Sequence, residues 1–545
     1  MNAYQTTIKK LIEKKVKTEK ELSKIKREIA KEFKIPCPSN IELLKAYHNL
    51  LEKKIIKENK VLEKLLRKRP IRSLSGVAVV SLFTKPFPCP GKCIFCPTEK
   101  DLPKSYLRGE PAAERALRLN FDPFLQVKER IESLKKQGHP TDKLEIRVIG
   151  ATFSAYPKNY KVWFFANLFS AANSRKEIKK GNLERLEKIL EREQRINEKA
   201  KNRICGISIE TRPDYINKKE ILLMRKLGIT MVELGVQTVF DDILKKCKRG
   251  HGIKETILAT KLLKDAGFKV MYQMMPNLPA SNLKKDFLSF KRIFEDENFK
   301  PDWLKIYPCV VCKRSELYRI WKKRKYKPYT KRELIELLIK IKKIVPYWVR
   351  IARLFRDIPA QKIIAGCKIS NLREVIQEEM RKRRLKCKCI RCREVREKYN
   401  PKEKIYLFRE DYRASDGQEI FLSFENKKRK KLFAFLRLRI PSHVFQARKK
   451  SKFSQNKHFL PVLQNAGLIR ELHTYGQMTP LGEKSLSPQH RGLGKKLVKE
   501  AERITKEEFK LPKIAVISGV GVREYYRKLG YKLKETYMIK QLIKK

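Results

Sequence analysis

The sequence predicts an α/β protein: a basic helical amino-terminal region, a partial or full barrel of six parallel βα units, and a second αβ domain at the carboxyl end. Three observations carry this reading. Short β-rich runs alternate with amphipathic helical stretches from Gly76 to Val311, which is the pattern of parallel βα units. The first 70 residues instead place apolar side chains at helical spacing among Lys and Glu. Beyond about Lys404 a new αβ segment begins, after a cysteine-rich basic stretch. At 545 residues the chain exceeds what one core organises, and four regions are expected: 1–70, 71–365, 366–403 and 404–545.

In the first region Leu11, Val16, Leu22, Ile25 and Ile29 mark one set of apolar helical positions, and a second set runs from Ile41 to Leu66. The barrel strands are expected in GVAVVSLFT (76–84), KLEIRVIGATF (143–153), ICGISIETR (204–212), ITMVELGVQT (229–238), FKVMYQMMP (268–276) and DWLKIYPCVV (302–311). Between Ser174 and Arg203 lies a highly charged helical insertion expected at the surface. Functional residues of such barrels gather at the carboxyl ends of the strands.

The charge balance is extreme: 129 Lys and Arg against 60 acidic residues give a formal net charge of +69, spread from end to end. A polyanionic partner, nucleic acid, is the natural reading, and a lysine-rich proteome or high-temperature ancestry is the alternative. Lys is not balanced by Glu, which favours nucleic acid. No run of 18 apolar residues exists to cross a membrane, and the start MNAYQTTIKKLIEKK lacks a signal-peptide core, so a cytoplasmic protein is expected. In that compartment twelve cysteines point to metal or redox work rather than disulfides.

Three of them sit in PFPCPGKCIFCPTEK, directly after the first strand: Cys89, Cys93 and Cys96. Three thiolates in one loop can hold a [4Fe-4S] cluster and leave one iron open for a chelating ligand, whereas a structural zinc site normally closes with four ligands. Pro88, Pro90, Gly91 and Pro97 supply the tight non-helical loop. A zinc knuckle or simple buried cysteines are the competing reading.

This spacing, with Phe95 before the last cysteine, resembles the signature of radical S-adenosylmethionine enzymes. Longer motifs, among them GISIETRPDY, VELGVQTVFDDILKKCKRGH, YQMMPNLP, LKIYP and RDIP, resemble in order the family of the Elongator catalytic subunit and its stand-alone prokaryotic relatives, from about residue 71 to the end. That resemblance implies modification of uridine 34 in the tRNA anticodon. It implies that Cys89, Cys93 and Cys96 carry the cluster and that Gly150 to Thr152, Glu210, Gln237 and Met275 face S-adenosylmethionine. One departure is that Ala151 stands where the family usually has a second glycine. Glu210 has a plainer reading as an acid salt-bridged to Arg212.

In the last domain Gln489-His490-Arg491-Gly492-Leu493-Gly494 is a glycine loop opening a helix, which offers backbone N–H groups to a phosphate. With the strand KIAVISGVG and YYRKLGY after it, the order resembles the GCN5-related acetyltransferase fold, and both domains occur in this order in the family named above. The resemblance implies acetyl-coenzyme A contacts at Glu471, Leu472, His473 and Thr474, at Gln489 and Gly492, at Leu493, Gly494 and Lys495, and at Tyr526, with Lys143 reaching from the barrel. Tyr525 and Tyr526 are adjacent, so one of them is expected at the thioester and the other in the core. His473 reads as a hydrogen-bonded structural histidine rather than a general base.

Cys387, Cys389 and Cys392 have zinc-ligand spacing and resemble the zinc loop of the same family, and Cys309 or Cys312 is a candidate fourth ligand. The expected function is 5-carboxymethyl synthesis at tRNA uridine 34. The [4Fe-4S] cluster and S-adenosylmethionine would generate a radical that takes a hydrogen from the acetyl methyl of acetyl-coenzyme A, and the tRNA anticodon loop is the partner. A protein lysine acetyltransferase with a structural cluster and a tRNA-binding scaffold are the other readings. A self-sufficient monomer and a homodimer both accommodate the expected function.

Overall fold

The computed structural model describes residues 2–68, 73, 76–396, 400, 403–449, 457–476 and 492–543. At the amino end α1 (Ala3–Glu13), α2 (Glu19–Glu32), α3 (Asn40–Glu52) and α4 (Lys60–Leu66) pack around a core of their own. Leu11, Val16, Leu22, Ile25 and Ile29 are all buried in it, beside Leu43, Leu44 and Tyr47. Capping boxes at Thr18/Glu21 and Ser39/Glu42 fix where α2 and α3 begin.

The six expected barrel strands form as β1 (Ala78–Phe83), β2 (Lys143–Ile149), β3 (Arg203–Thr211), β4 (Met231–Gln237), β5 (Lys269–Met274) and β6 (Trp303–Ile306). A two-residue ladder of β7 (Val311–Cys312) with β9 (Ile363–Ala365) flanks them, and between these in sequence lies β8 (Arg350–Arg353). β8 pairs in parallel with β6, so the sheet runs β1-β2-β3-β4-β5-β6-β8 and has seven strands rather than six. The seventh is four residues long and carries two arginines, too short and polar for a strand pattern to show.

Alternation along each strand sets the two faces. On β2, Leu144, Ile146 and Val148 point outward into the main core under the helices, and Lys143, Glu145, Arg147 and Ile149 line the inside. On β4, Val232, Leu234 and Val236 point outward, which leaves Glu233, Gly235 and Gln237 inside. The charged stretch 174–203 lies at the surface as expected, but one face of it is packed rather than solvated. Its helix Leu183–Asn197 buries Leu186 and Leu190 against the barrel core, and Glu198 pairs with Arg523 at 3.0 Å and Arg527 at 2.6 Å in the last domain.

That domain is a second seven-stranded sheet, built of β10 (Tyr406–Ala414), β11 (Gly417–Glu425), β12 (Leu432–Ile440), β13 (Ala466–Thr474), β14 (Lys513–Val516), β15 (Lys532–Lys534) and β16 (Tyr537–Gln541), in the order β10-β11-β12-β13-β14-β16-β15. All neighbours are antiparallel except β13 and β14. It covers the amino-terminal mouth of the barrel. A Cβ on Gly519 would lie 2.1 Å from the Cys205 carbonyl, and one on Gly521 2.6 Å from the Arg203 side chain, so both glycines are needed for this approach. Buried ion pairs fasten the join: Arg439 to Asp265 at 2.7 Å, Arg470 to Asp302, Lys264 to Glu419 at 3.4 Å, and Lys269 to Glu471 at 3.6 Å.

Candidate active site

The carboxyl ends of the barrel strands surround a cavity of about 400 Å³ whose wall includes Cys89, Cys93 and Cys96. The loop that bears them leaves β1 and folds across the mouth: Ile94 N–H donates to the Cys247 carbonyl at 3.2 Å, and Leu317 N–H donates to the Ile94 carbonyl at 2.8 Å. Cys93 is buried, and the guanidinium of Arg249 donates to its sulfur at 3.2 Å. The hydrogen bond from Cys96 and then the charges of Arg249 and Arg212 outweigh burial and draw the Cys93 thiol down to about 5. A Cys93 thiolate beside two guanidinium groups, with Cys89 and Cys96 on the same wall of a polar cavity, fits the ligand set of an iron–sulfur cluster. Gly91 makes room for Arg212: a Cβ there would stand 2.2 Å from its Nη1.

Glu210, Gln237 and Met275 all line the cavity. Glu210 does not pair with Arg212, which is held by Asp214 at 2.8 Å; it accepts from Lys305 at 3.1 Å and from the Tyr106 hydroxyl. Burial pushes the Glu210 carboxyl up, but the Lys305 ammonium and the Tyr106 hydrogen bond hold it below the ordinary carboxylate range. Gln237 sits in the left-handed region at φ 72°, and its buried Oε1 has no hydrogen-bond partner, so an acceptor is aimed into the cavity unused. Gly150 stands off the wall formed by Ile149, Ala151 and Thr152. Its φ of 148° and the Thr84 hydroxyl, 1.9 Å from where a Cβ would lie, explain the glycine by packing. Ala151 holds a left-handed φ of 65°, at a cost of roughly 1–2 kcal/mol that a second glycine would relieve.

Sequence spacing does not single out Arg249, Tyr106, Lys305 or Glu233. Arg249 lies in the CKRGH stretch, and Tyr106 follows the cysteine loop by ten residues. Glu110 also lines the cavity, beside Arg356, and burial raises its carboxyl to about 7.

The candidate acetyl-coenzyme A residues lie in the other domain. Gly492, at φ 70°, caps the helix Leu493–Arg503. A Cβ on Gly494 would be 3.0 Å from the Tyr525 hydroxyl, 3.6 Å from Thr474 Oγ1 and 3.9 Å from Leu472, so these four residues converge. Leu493 is buried and Lys495 exposed at the start of that helix. Gln489 lies outside the described residues. Tyr525 rather than Tyr526 faces this cleft: Tyr526 is buried in the domain core, edge-on to Tyr531. Glu471 is taken by Arg437 at 2.8 Å and by Lys269, which leaves only its backbone for a ligand. The His473 ring stacks on Phe435 and lies 4.4 Å from Tyr475, in keeping with a structural role. Lys143 is the first residue of β2, at the covered mouth beside Cys205 and opposite the cavity.

The Cys387, Cys389 and Cys392 sulfurs lie within 4.8 Å of one another. Tetrahedral zinc with bonds of about 2.3 Å sets its sulfurs about 3.8 Å apart, so the trio suits such an ion. Cys309 and Cys312 do not join it. Cys309 packs in the cluster of Cys93 and Cys247, and Cys312 lines the barrel cavity. No helix among the described residues is long and apolar enough to cross a membrane.

The Radical SAM superfamily model matches residues 88–289, and that of the Radical_SAM C-terminal domain matches 301–382. Proteins named tRNA uridine(34) acetyltransferase from Methanocaldococcus infernus and Methanocaldococcus jannaschii are each 47% identical to this chain, the first over 98% of both chains and the second over 96% of this chain and 94% of its own. Human Elongator complex protein 3 is 39% identical over 89% of this chain and 87% of its own. Among solved structures, the Methanocaldococcus infernus Elp3 with an N-terminus deletion (1–46) superimposes with a TM-score of 0.71 at 45% identity, covering 86% of this chain and all of that one.

Proposed function

The chain belongs to the family of the tRNA uridine(34) acetyltransferases and Elongator complex protein 3, and from this we propose that it is a radical S-adenosylmethionine enzyme that builds a 5-carboxymethyl group on uridine 34 of tRNA from acetyl-coenzyme A. The observation that carries the reading is one chain holding both a tricysteine cavity at one end of the barrel and the Gly494–Thr474–Tyr525 cleft in a domain fastened to its other end.

When bound, the [4Fe-4S] cluster and S-adenosylmethionine supply the one-electron chemistry that removes a hydrogen from the acetyl methyl. Cys89, Cys93 and Cys96 would hold the cluster, and Arg249 and Arg212 favour the charged thiolate of Cys93. Gln237 Oε1 would present an unused acceptor to S-adenosylmethionine, and the Glu210 carboxylate would present a negative charge to it. The helix opening at Gly492 offers N–H groups to the coenzyme A pyrophosphate. Tyr525 hydrogen-bonds the coenzyme A arm where it leaves the cleft, and Cys387, Cys389 and Cys392 hold a zinc ion that braces the link between the domains. The net charge of +69 and the helical region 1–70 attract the tRNA backbone, and the target base is splayed from its loop to reach the cavity. Incubation of reconstituted protein with tRNA, S-adenosylmethionine, acetyl-coenzyme A and reductant should give 5-carboxymethyluridine by nucleoside mass spectrometry. Acetylated lysines with unmodified tRNA would replace this reading by the protein acetyltransferase.

A further inference from the structure

The two sites lie at opposite ends of one barrel. β2 spans seven residues, which at about 3.3 Å each separates the mouths by about 20 Å. Opening the domains to bring the sites together would expose the ion pairs of Asp265, Asp302 and Glu419, all with buried partners. The path that remains is the barrel itself.

Its inside is unlike a filled barrel core, where bulky branched residues dominate. The inner column of β2 reads Lys143, Glu145, Arg147 and Ile149 from the covered mouth upward, and its last two residues already line the cavity. The cavity wall reaches down to Val79, the second residue of β1, Glu233, the third of β4, and Lys305, the third of β6. Below that level the bore is closed by one small apolar cluster, Met231, Met271, Trp303 and Ala352. Beneath the cluster lie Lys269, 5.9 Å from the Trp303 ring, and its partner Glu471 on the strand that ends at Thr474. Trp303 Nε1 is buried and has no hydrogen-bond partner.

We propose that the barrel interior is a binding channel for the acetyl-thioester arm of coenzyme A, entered from the covered mouth near Lys143 and closed at rest by Met231, Met271 and Trp303. The inference rests on the reading that both cofactors serve one reaction. Methionine is unbranched and adaptable, so an extended arm can displace two of them without moving the strands. The free indole N–H of Trp303 then meets a carbonyl of the arm, and the polar wall above it receives the acetyl group beside the cluster.

Met271→Trp fills the bore at the level of the apolar cluster. It should keep the native fold and iron–sulfur spectrum and still cleave S-adenosylmethionine. Transfer of deuterium from the labelled acetyl methyl to 5′-deoxyadenosine should fall at least tenfold. Met271→Leu, of similar volume, should retain transfer. If Met271→Trp loses cofactor binding through misfolding, Ala352→Met closes the same level from another strand and should give the same split. Transfer at the native rate in a folded, filled variant overturns the channel. Absence of transfer in the native protein instead removes the coupled reaction, and the channel with it.

Discussion

Asp302 is the most informative residue of the domain join. It is fully buried; its Oδ2 accepts from Arg470 Nη1 at 2.9 Å and from the Val270 N–H at 2.9 Å, and its Oδ1 lies 3.7 Å from both Lys264 and Arg437. Asp302→Asn keeps the shape and an acceptor for Val270 but removes the charge that three buried cations share. Breaking a buried pair from one side costs about 3–5 kcal/mol, because the partner charge is left unpaired. The barrel and the last domain together span about 460 residues, for which the unfolding entropy is roughly 1 kcal/mol/K, so Tm should fall by about 3–5 °C in a fluorescence melt. Burial would raise the Asp302 carboxyl, but Arg470, then Lys264 and Arg437, hold it far below the ordinary value. A depressed carboxyl stabilises above its unfolded pKa of about 3.9 and loses this as pH falls through the folded value, so the deficit should be full at pH 7 and shrink only in strong acid. The double variant Asp302→Asn, Arg470→Met leaves fewer unpaired charges and should recover part of the loss. A Tm change below about 1 °C in the single variant would refute the view that this network fastens the two domains.

Gly492→Glu should weaken coenzyme A binding about tenfold, since a left-handed side chain costs roughly 1–2 kcal/mol and adds a negative charge where a pyrophosphate is expected. Among the described residues a Cβ there meets nothing within 4 Å, so the iron–sulfur spectrum should be unchanged; unaltered affinity by calorimetry would misplace the site. Deleting residues 1–68 should weaken tRNA binding and flatten its salt dependence by about 0.7–0.9 in slope for each phosphate that is no longer neutralised. Equal slopes for both proteins would assign that helical domain another task.

Much of the barrel was legible because its strands bury one face under helices and keep runs of Val, Ile and Leu there. The strand Arg350–Arg353 escaped because four residues with two arginines carry no such pattern, and its arginines turn out to serve the inside of the bore. The cysteine loop was legible from spacing alone. Its electrostatic partners were not: Arg249 lies 156 residues from Cys93, and Lys305 lies 95 from Glu210. Only the fold brings them together. Tyr525 and Tyr526 show a different limit. Neighbours on a helix point about 100° apart, so sequence says that they diverge, while the packing of Tyr526 against Tyr531 decides which one is left for the cleft. Glu471 likewise reads as a ligand contact until Arg437 and Lys269 are seen to occupy its carboxylate.

The most direct test of a single coupled reaction follows the acetyl methyl hydrogens. With acetyl-coenzyme A trideuterated in that methyl, together with tRNA, S-adenosylmethionine and reductant, the 5′-deoxyadenosine released should carry one deuterium, and carboxymethyluridine should form only when both cofactors are present. Unlabelled 5′-deoxyadenosine accompanying modified uridine would contradict the account, because the methyl carbon–hydrogen bond would then not be the one that the radical breaks.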